Sequence, residues 1–156
     1  SVARWNMATE EICPMPYEYP DLKKVRFIYA ASAEHQLYVQ CYTQYDLMTI
    51  CDFNGNLKCN IYGPKWVNEK TQTQHYSLGV EFCGDKILAL YSGGDHRTDA
   101  YYPTKFLVFD LNGNYLKTLE TGYMITDFCY DKENNRLIIN LNDEIQFAYL
   151  DLEGII

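Results

Sequence analysis

Phe106-Leu107-Val108-Phe109-Asp110-Leu111-Asn112-Gly113-Asn114 decides the fold: an apolar, strand-like run closed by Asp-x-Asn-Gly. Asn-Gly accommodates the positive φ angles of the tight turns that suit β-hairpins. The pattern recurs twice. Leu47 to Asn56 reads LMTICDFNGN, and Ile145 to Gly154 reads IQFAYLDLEG, which closes on Asp-x-Glu-Gly. A further strand is expected after each turn, at Leu57 to Tyr62 and at Tyr115 to Leu119.

Working outward, a second apolar run precedes each of these: Gln36 to Tyr42, Lys86 to Tyr91 and Arg136 to Leu141. A third stands before those, at Val25 to Ala31, Ser77 to Cys83 and Met124 to Tyr130, and in all three units this first run reads as the most buried. The unit is four strands in a meander, recurring at 58 and then 41 residues when measured from Asp52 to Asp110 to Asp151. Such a period is the pattern of propeller blades. The expected fold is therefore all-β, a β-propeller of about three four-stranded antiparallel blades, half of a six-bladed ring.

The expected division of residues 1–156 is one partial propeller domain. Residues 1–24 hold an outer strand at Val2 to Met7, belonging to a preceding blade, and a linker. Residues 25–62 form the first blade, 76–120 the second and 123–156 an incomplete third. The unequal period comes from two insertions, Gly63 to His75 and Ser92 to Thr104, with core strands of constant length. An arc of three blades would expose apolar edges, so a partner surface is expected. It is either the missing remainder of a longer chain or a second copy closing the ring as a homodimer.

Composition agrees with the strand reading. Fifteen Tyr and seven Phe favour pleated surfaces, and 47 % apolar residues suffice for a sizeable core. The net charge of −8 argues against nucleic acid as a partner, because binding there depends on neutralising phosphates. No apolar run approaches the length of about 20 residues that spans a bilayer. The opening Ser1-Val2-Ala3-Arg4-Trp5 has neither initiator Met nor a charged-then-apolar leader, and reads as a processed product or a fragment. The six cysteines, Cys13, Cys41, Cys51, Cys59, Cys83 and Cys129, show no close pairs of the kind a zinc site needs, and read mainly as buried thiols.

Tyr91-Ser92-Gly93-Gly94 at the end of a second strand, then VFDLNGN, then YMITDFCYDKENNRLIINL over Tyr123 to Leu141, resembles the TolB-like six-bladed propeller family. The resemblance covers Tyr76 to Gly154 and, more loosely, Phe27 to Tyr62. It implies an exported bacterial protein, periplasmic or on the cell surface and often lipid-anchored, with no catalytic residues.

In a four-stranded blade the connection between strands two and three shares a face with the linker between blades. Both insertions are therefore expected on one face. Candidate ligand-binding residues there are Trp66 and His75 from the first insertion and Asp95, His96, Arg97, Tyr101 and Tyr102 from the second. Lys65, Asn68, Tyr76 and Asp99 lie beside them, and the Pro-rich stretch Cys13 to Pro20 is expected on the same face. Aromatic-rich loops with Trp, Tyr and Arg suit a glycan, peptide or protein ligand. The bland alternative is that these loops cover the rim, with Trp66 and Tyr102 packed inside it.

Asp95-His96-Arg97-Thr98-Asp99 has metal-ligand residue types, but a solvated loop accounts for it, and no metal or other cofactor is expected. The two Asp-x-Asn-Gly-Asn turns lack the distal Glu of a calcium loop. His35 falls in a turn and reads as exposed. No nucleophile elbow or phosphate loop is present in the sequence. The leading functional expectation is a noncatalytic binding or scaffolding module. The alternative is a propeller glycoside hydrolase or lyase drawing acids such as Asp127, Asp143 and Glu144 from several blades.

Overall fold

The computed structural model describes residues 3–14 and 25–156. The fold is all-β: thirteen strands in four antiparallel sheets, with one 3₁₀ turn at Asp99–Tyr101 and no α-helix among the described residues. Strands β1 (Ala3–Asn6) and β2 (Glu11–Pro14) pair as a hairpin. Sheet one is a meander of β3 (Phe27–Ser32), β4 (Leu37–Tyr42), β5 (Leu47–Asp52) and β6 (Leu57–Tyr62). Sheet two repeats it with β7 (Thr73–Cys83), β8 (Lys86–Asp95), β9 (Lys105–Asp110) and β10 (Tyr115–Glu120). Sheet three has three strands, β11 (Ile125–Asp131), β12 (Arg136–Leu141) and β13 (Phe147–Asp151).

The first strands of successive sheets are neighbours, since β7 packs against β3 on one side and β11 on the other. Side chains alternate across a pleat, so a sheet between two others must be apolar on both faces. Strand β8 is. Ile87, Ala89 and Tyr91 enter the core shared with sheet one, while Leu88 and Leu90 enter the core shared with sheet three. The turns before the second strands also gather: His35 Nε2 donates to the Gly84 carbonyl at 2.8 Å, and Lys132 pairs with Glu34 at 2.8 Å. His35 is thus half-buried against Phe82, not simply exposed.

Burial differs from expectation in one respect. The first strands are not the most buried: β3 is half-buried, whereas every residue of β4 is buried. A first strand is the edge of its sheet, while the second is covered by strands on both flanks and by a neighbouring sheet. Strand lengths are not constant either. Strands β7 and β8 run to 11 and 10 residues because their ladder continues into both insertions, pairing Thr73 with Asp95 and Gln74 with Gly94. Of the Pro-rich stretch, Cys13 and Pro14 end β2, and residues 15–20 lie outside the described residues.

The two Asp-x-Asn-Gly-Asn turns are built identically. Asp52 Oδ1 accepts from the Asn54 and Asn56 N–H groups and its Oδ2 from the Asn56 amide; Asp110 does the same for Asn112 and Asn114. These bonds hold both carboxyls below the usual Asp range. Only the glycine takes positive φ, 87° at Gly55 and 85° at Gly113, with a bulge between Ile50 and Cys51 in the strand before the first turn. The chemistry is that of a turn followed by a glycine bulge. No disulfide joins the cysteines; Cys41, Cys51 and Cys83 are buried, and Cys13 and Cys129 are exposed.

Candidate functional site

Both insertions meet at one end of the first sheet-to-sheet junction. His96 donates from its backbone to the Gln72 carbonyl, and its Nδ1 lies 2.9 Å from the same oxygen. The Tyr91-Ser92-Gly93-Gly94 motif shapes this meeting. Ser92 Oγ donates to the Ala100 carbonyl and accepts from Gly94 N–H, and a Cβ on Gly94 would collide with that carbonyl at 1.8 Å. Gly93, at φ 78°, sits where Lys65 Nζ and the Tyr91 ring converge.

The candidate residues separate into four groups. Asp95 and Arg97 close on each other at 2.7 Å, which holds the Asp95 carboxyl well below its usual range, with His96 on the loop beside them. Tyr101 and Tyr102 stack at 4.3 Å, both half-buried. The Asp95 and Arg97 side chains, and the Tyr101 and Tyr102 rings, are thus engaged with partners in their own loop. No cluster of metal-binding side chains occurs among the described residues.

Trp66 belongs to an aromatic rim. Its ring meets Tyr62 edge-on at 4.8 Å and tilts toward Tyr45 at 6.0 Å, resting on the small core of Tyr42, Tyr45 and Leu47. With Asn60, Tyr62 and Asn68 it lines an open hollow. Thr49 Oγ1 donates to the Asn60 amide oxygen at 2.7 Å, so the Asn60 NH₂ remains available as a donor. Packing and exposure coexist here: Trp66 is anchored on one side and open on the other.

His75 is not on the rim. Only 1 % of it is exposed, as is 1 % of Asp46, which ends the turn between β4 and β5. Thr71 Oγ1 lies 3.1 Å from the Gln44 carbonyl and 3.3 Å from His75 Nε2, so the hydroxyl ties the ring to the turn before β5. His75 Nδ1 lies 3.3 Å from the Tyr91 hydroxyl and 3.9 Å from Asp46 Oδ1, and the Tyr91 hydroxyl also bonds the Asp46 carboxylate. Burial lowers the His75 basicity, partly opposed by the Asp46 charge. Burial also pushes the Tyr91 phenol up, and Asp46 adds to it. Gly63 makes room for this group: a Cβ there would stand 2.2 Å from the Asp46 carboxyl, whose Oδ2 accepts from Lys65 N–H at 2.9 Å.

Beside the group opens a cleft of about 460 Å³ between sheets one and two. Its walls include Ile61, Tyr76, Leu107 and Phe109, and Lys65 and Lys105 stand among its lining residues. Sequence reasoning missed Asp46, Asn60, Tyr62 and Lys105. Each lies within or next to a strand, where nothing in the local pattern separates a site residue from a sheet residue.

No family model matches the chain. No curated protein matches it. Among solved structures it is similar to Kuenenia stuttgartiensis hydrazine synthase, at 11 % identity with a TM-score of 0.62. The match covers 97 % of this chain, and the chain spans 40 % of that relative. At that identity the likeness concerns the fold alone.

Proposed function

We propose that the chain is part of a six-bladed propeller of the TolB-like kind and acts as a noncatalytic binding module, holding a glycan on the Tyr62–Trp66 rim. An exported location goes with that family reading. The propeller reading is supported by the repeated meander, the neighbouring first strands and the two-faced β8. One observation carries the ligand reading: two aromatic rings at 4.8 Å, open to solvent, beside the amides of Asn60 and Asn68. Aromatic faces pack on the apolar C–H faces of sugars while amides bond their hydroxyls, a combination that suits neutral saccharides better than phosphate-rich ligands.

A panel of oligosaccharides immobilised and probed with the protein tests this. Trp66→Ala should weaken retained binding about thirtyfold, the ~2 kcal/mol typical of an aromatic hot spot. Unchanged binding in that variant removes the rim from the account.

Sheet three bears on assembly. Its outward face carries Ile138, Phe147 and Tyr149, the last two 68 % and 64 % exposed, and a ring requires that such a face be covered. Light scattering distinguishes a homodimer, at twice 18.2 kDa, from a monomer whose ring needs further blades.

A second reading, a glycoside hydrolase or lyase, rests on Glu81 and Asp127 from neighbouring first strands. Burial raises the Glu81 carboxyl above its usual range, and the Asp127 charge adds to the shift, as a general acid requires. Reducing-end release from a polysaccharide, abolished in Glu81→Gln, would favour this reading over simple binding.

A further inference from the structure

We propose that the cleft between sheets one and two is a second site, bordering the rim at Tyr62 but not reaching Trp66, that binds an organic anion with an apolar body. Three observations meet there. The volume of about 460 Å³ falls within the range of pockets that enclose small molecules. Its deep walls, Ile61, Tyr76, Leu107 and Phe109, offer a bound molecule apolar contact and few hydrogen bonds. And two ammonium groups flank Tyr91 at its opening. Lys105 Nζ lies 5.6 Å from the Tyr91 ring centroid, and Lys65 Nζ lies 3.4 Å from the point where a Cβ on Gly93 would sit, which the Tyr91 ring also touches.

Neither lysine forms an ion pair with a carboxylate among the described residues. In a chain with 21 acidic and 13 basic side chains, two lysines left without an ion pair beside one apolar opening are a local reversal of sign. Field lines concentrate in such a low-dielectric recess and favour a negative head group. Asp46 also borders the cleft, but its carboxyl is turned to Lys65 N–H and lies beside His75, behind Gly63. Two positive charges thus face the opening against one carboxyl engaged elsewhere. The ligand class that fits is a carboxylate or sulfonate joined to an aromatic or acyl body.

The test uses two dyes of nearly the same shape on the full chain: 1-anilinonaphthalene-8-sulfonate and its uncharged analogue N-phenyl-1-naphthylamine, followed by fluorescence titration. The wild type should bind the sulfonate saturably, with a one-to-one stoichiometry and at least tenfold tighter than the neutral dye. Lys65→Met with Lys105→Met should remove that tenfold preference while leaving the neutral dye within twofold, and Leu107→Trp, which fills the cleft, should abolish binding of both. Trp66→Ala should change neither, so loss of glycan binding and loss of anion binding are separately readable. Equal affinity for the two dyes in the wild type, no saturable binding, or sulfonate binding that survives either cleft variant overturns the proposal.

Discussion

The two sheet-to-sheet junctions share one backbone design and differ in what they bury. At the first, Thr71 donates to the Gln44 carbonyl and His75 N–H to the Thr43 carbonyl; at the second, Thr121 donates to the Thr104 carbonyl and Ile125 N–H to the Pro103 carbonyl. The side chains held by these clamps diverge. Where the first junction has His75 and Tyr91 with Asp46, the second has Ile125 and Leu141, packed with Leu90, Phe106, Phe128 and Leu137. Packing alone therefore suffices to join two of these sheets. A buried carboxyl and imidazole cost desolvation that an apolar set avoids. The polar group adjoins the rim and the cleft, which is where we place ligands.

Four experiments strain this contrast, in falling order of effect. Phe106→Ala at the apolar junction should lose about 3–5 kcal/mol, the cost of a large cavity among close-packed rings, read as a lower urea midpoint. A loss under 1 kcal/mol would mean that the second junction is loosely packed. Asp46→Ala should lose about 1–3 kcal/mol, since it removes the buried acceptor of the Lys65 N–H and of the Tyr91 hydroxyl. In contrast, Asp46→Thr combined with His75→Ile and Tyr91→Leu installs the second junction's residues, Thr104 standing just before β9 as Asp46 stands just before β5, and should restore most of that loss.

Acidification comes third. Burial lowers the His75 pKa in the folded chain, so its contribution to stability is complete above the unfolded value near 6.5 and is lost as pH falls from there through the folded value. Asp46, Lys65 and Tyr91 are the charged or titratable groups around it. The urea midpoint should drop between pH 7.5 and pH 5.5 in the wild type and stay flatter in His75→Gln. Equal slopes would assign the drop to other groups. Last, Lys132→Ala, which removes an exposed pair with Glu34, should leave the midpoint unchanged within error.

Much of the architecture was legible because strands and turns are local. The Asp-x-Asn-Gly-Asn turns are closed by their own Asp and Gly, so residues within five positions specify them, and the order of strands follows from their spacing. The extension of β7 and β8 was not legible, because Thr73, Gln74, Gly94 and Asp95 form a ladder only when the insertions meet. The same holds for the site. Trp66 announces itself as a loop aromatic, but its partner Tyr62 ends a strand, and His75 read as a rim ligand although its bonds to Thr71 and Tyr91 hold it inside. Asp46 and Gly63 are 17 residues apart in sequence, and their fit is visible only in three dimensions.

The central claim is that the Tyr62–Trp66 rim contacts a saccharide without cleaving it. The chain has two tryptophans, so Trp5→Phe leaves Trp66 as the only indole reporter. Titrating that variant with an oligosaccharide retained on the panel should give a saturable change in Trp66 emission, with the sugar recovered intact. Binding that leaves the Trp66 emission unmoved, or recovery of shortened sugar, would contradict the account.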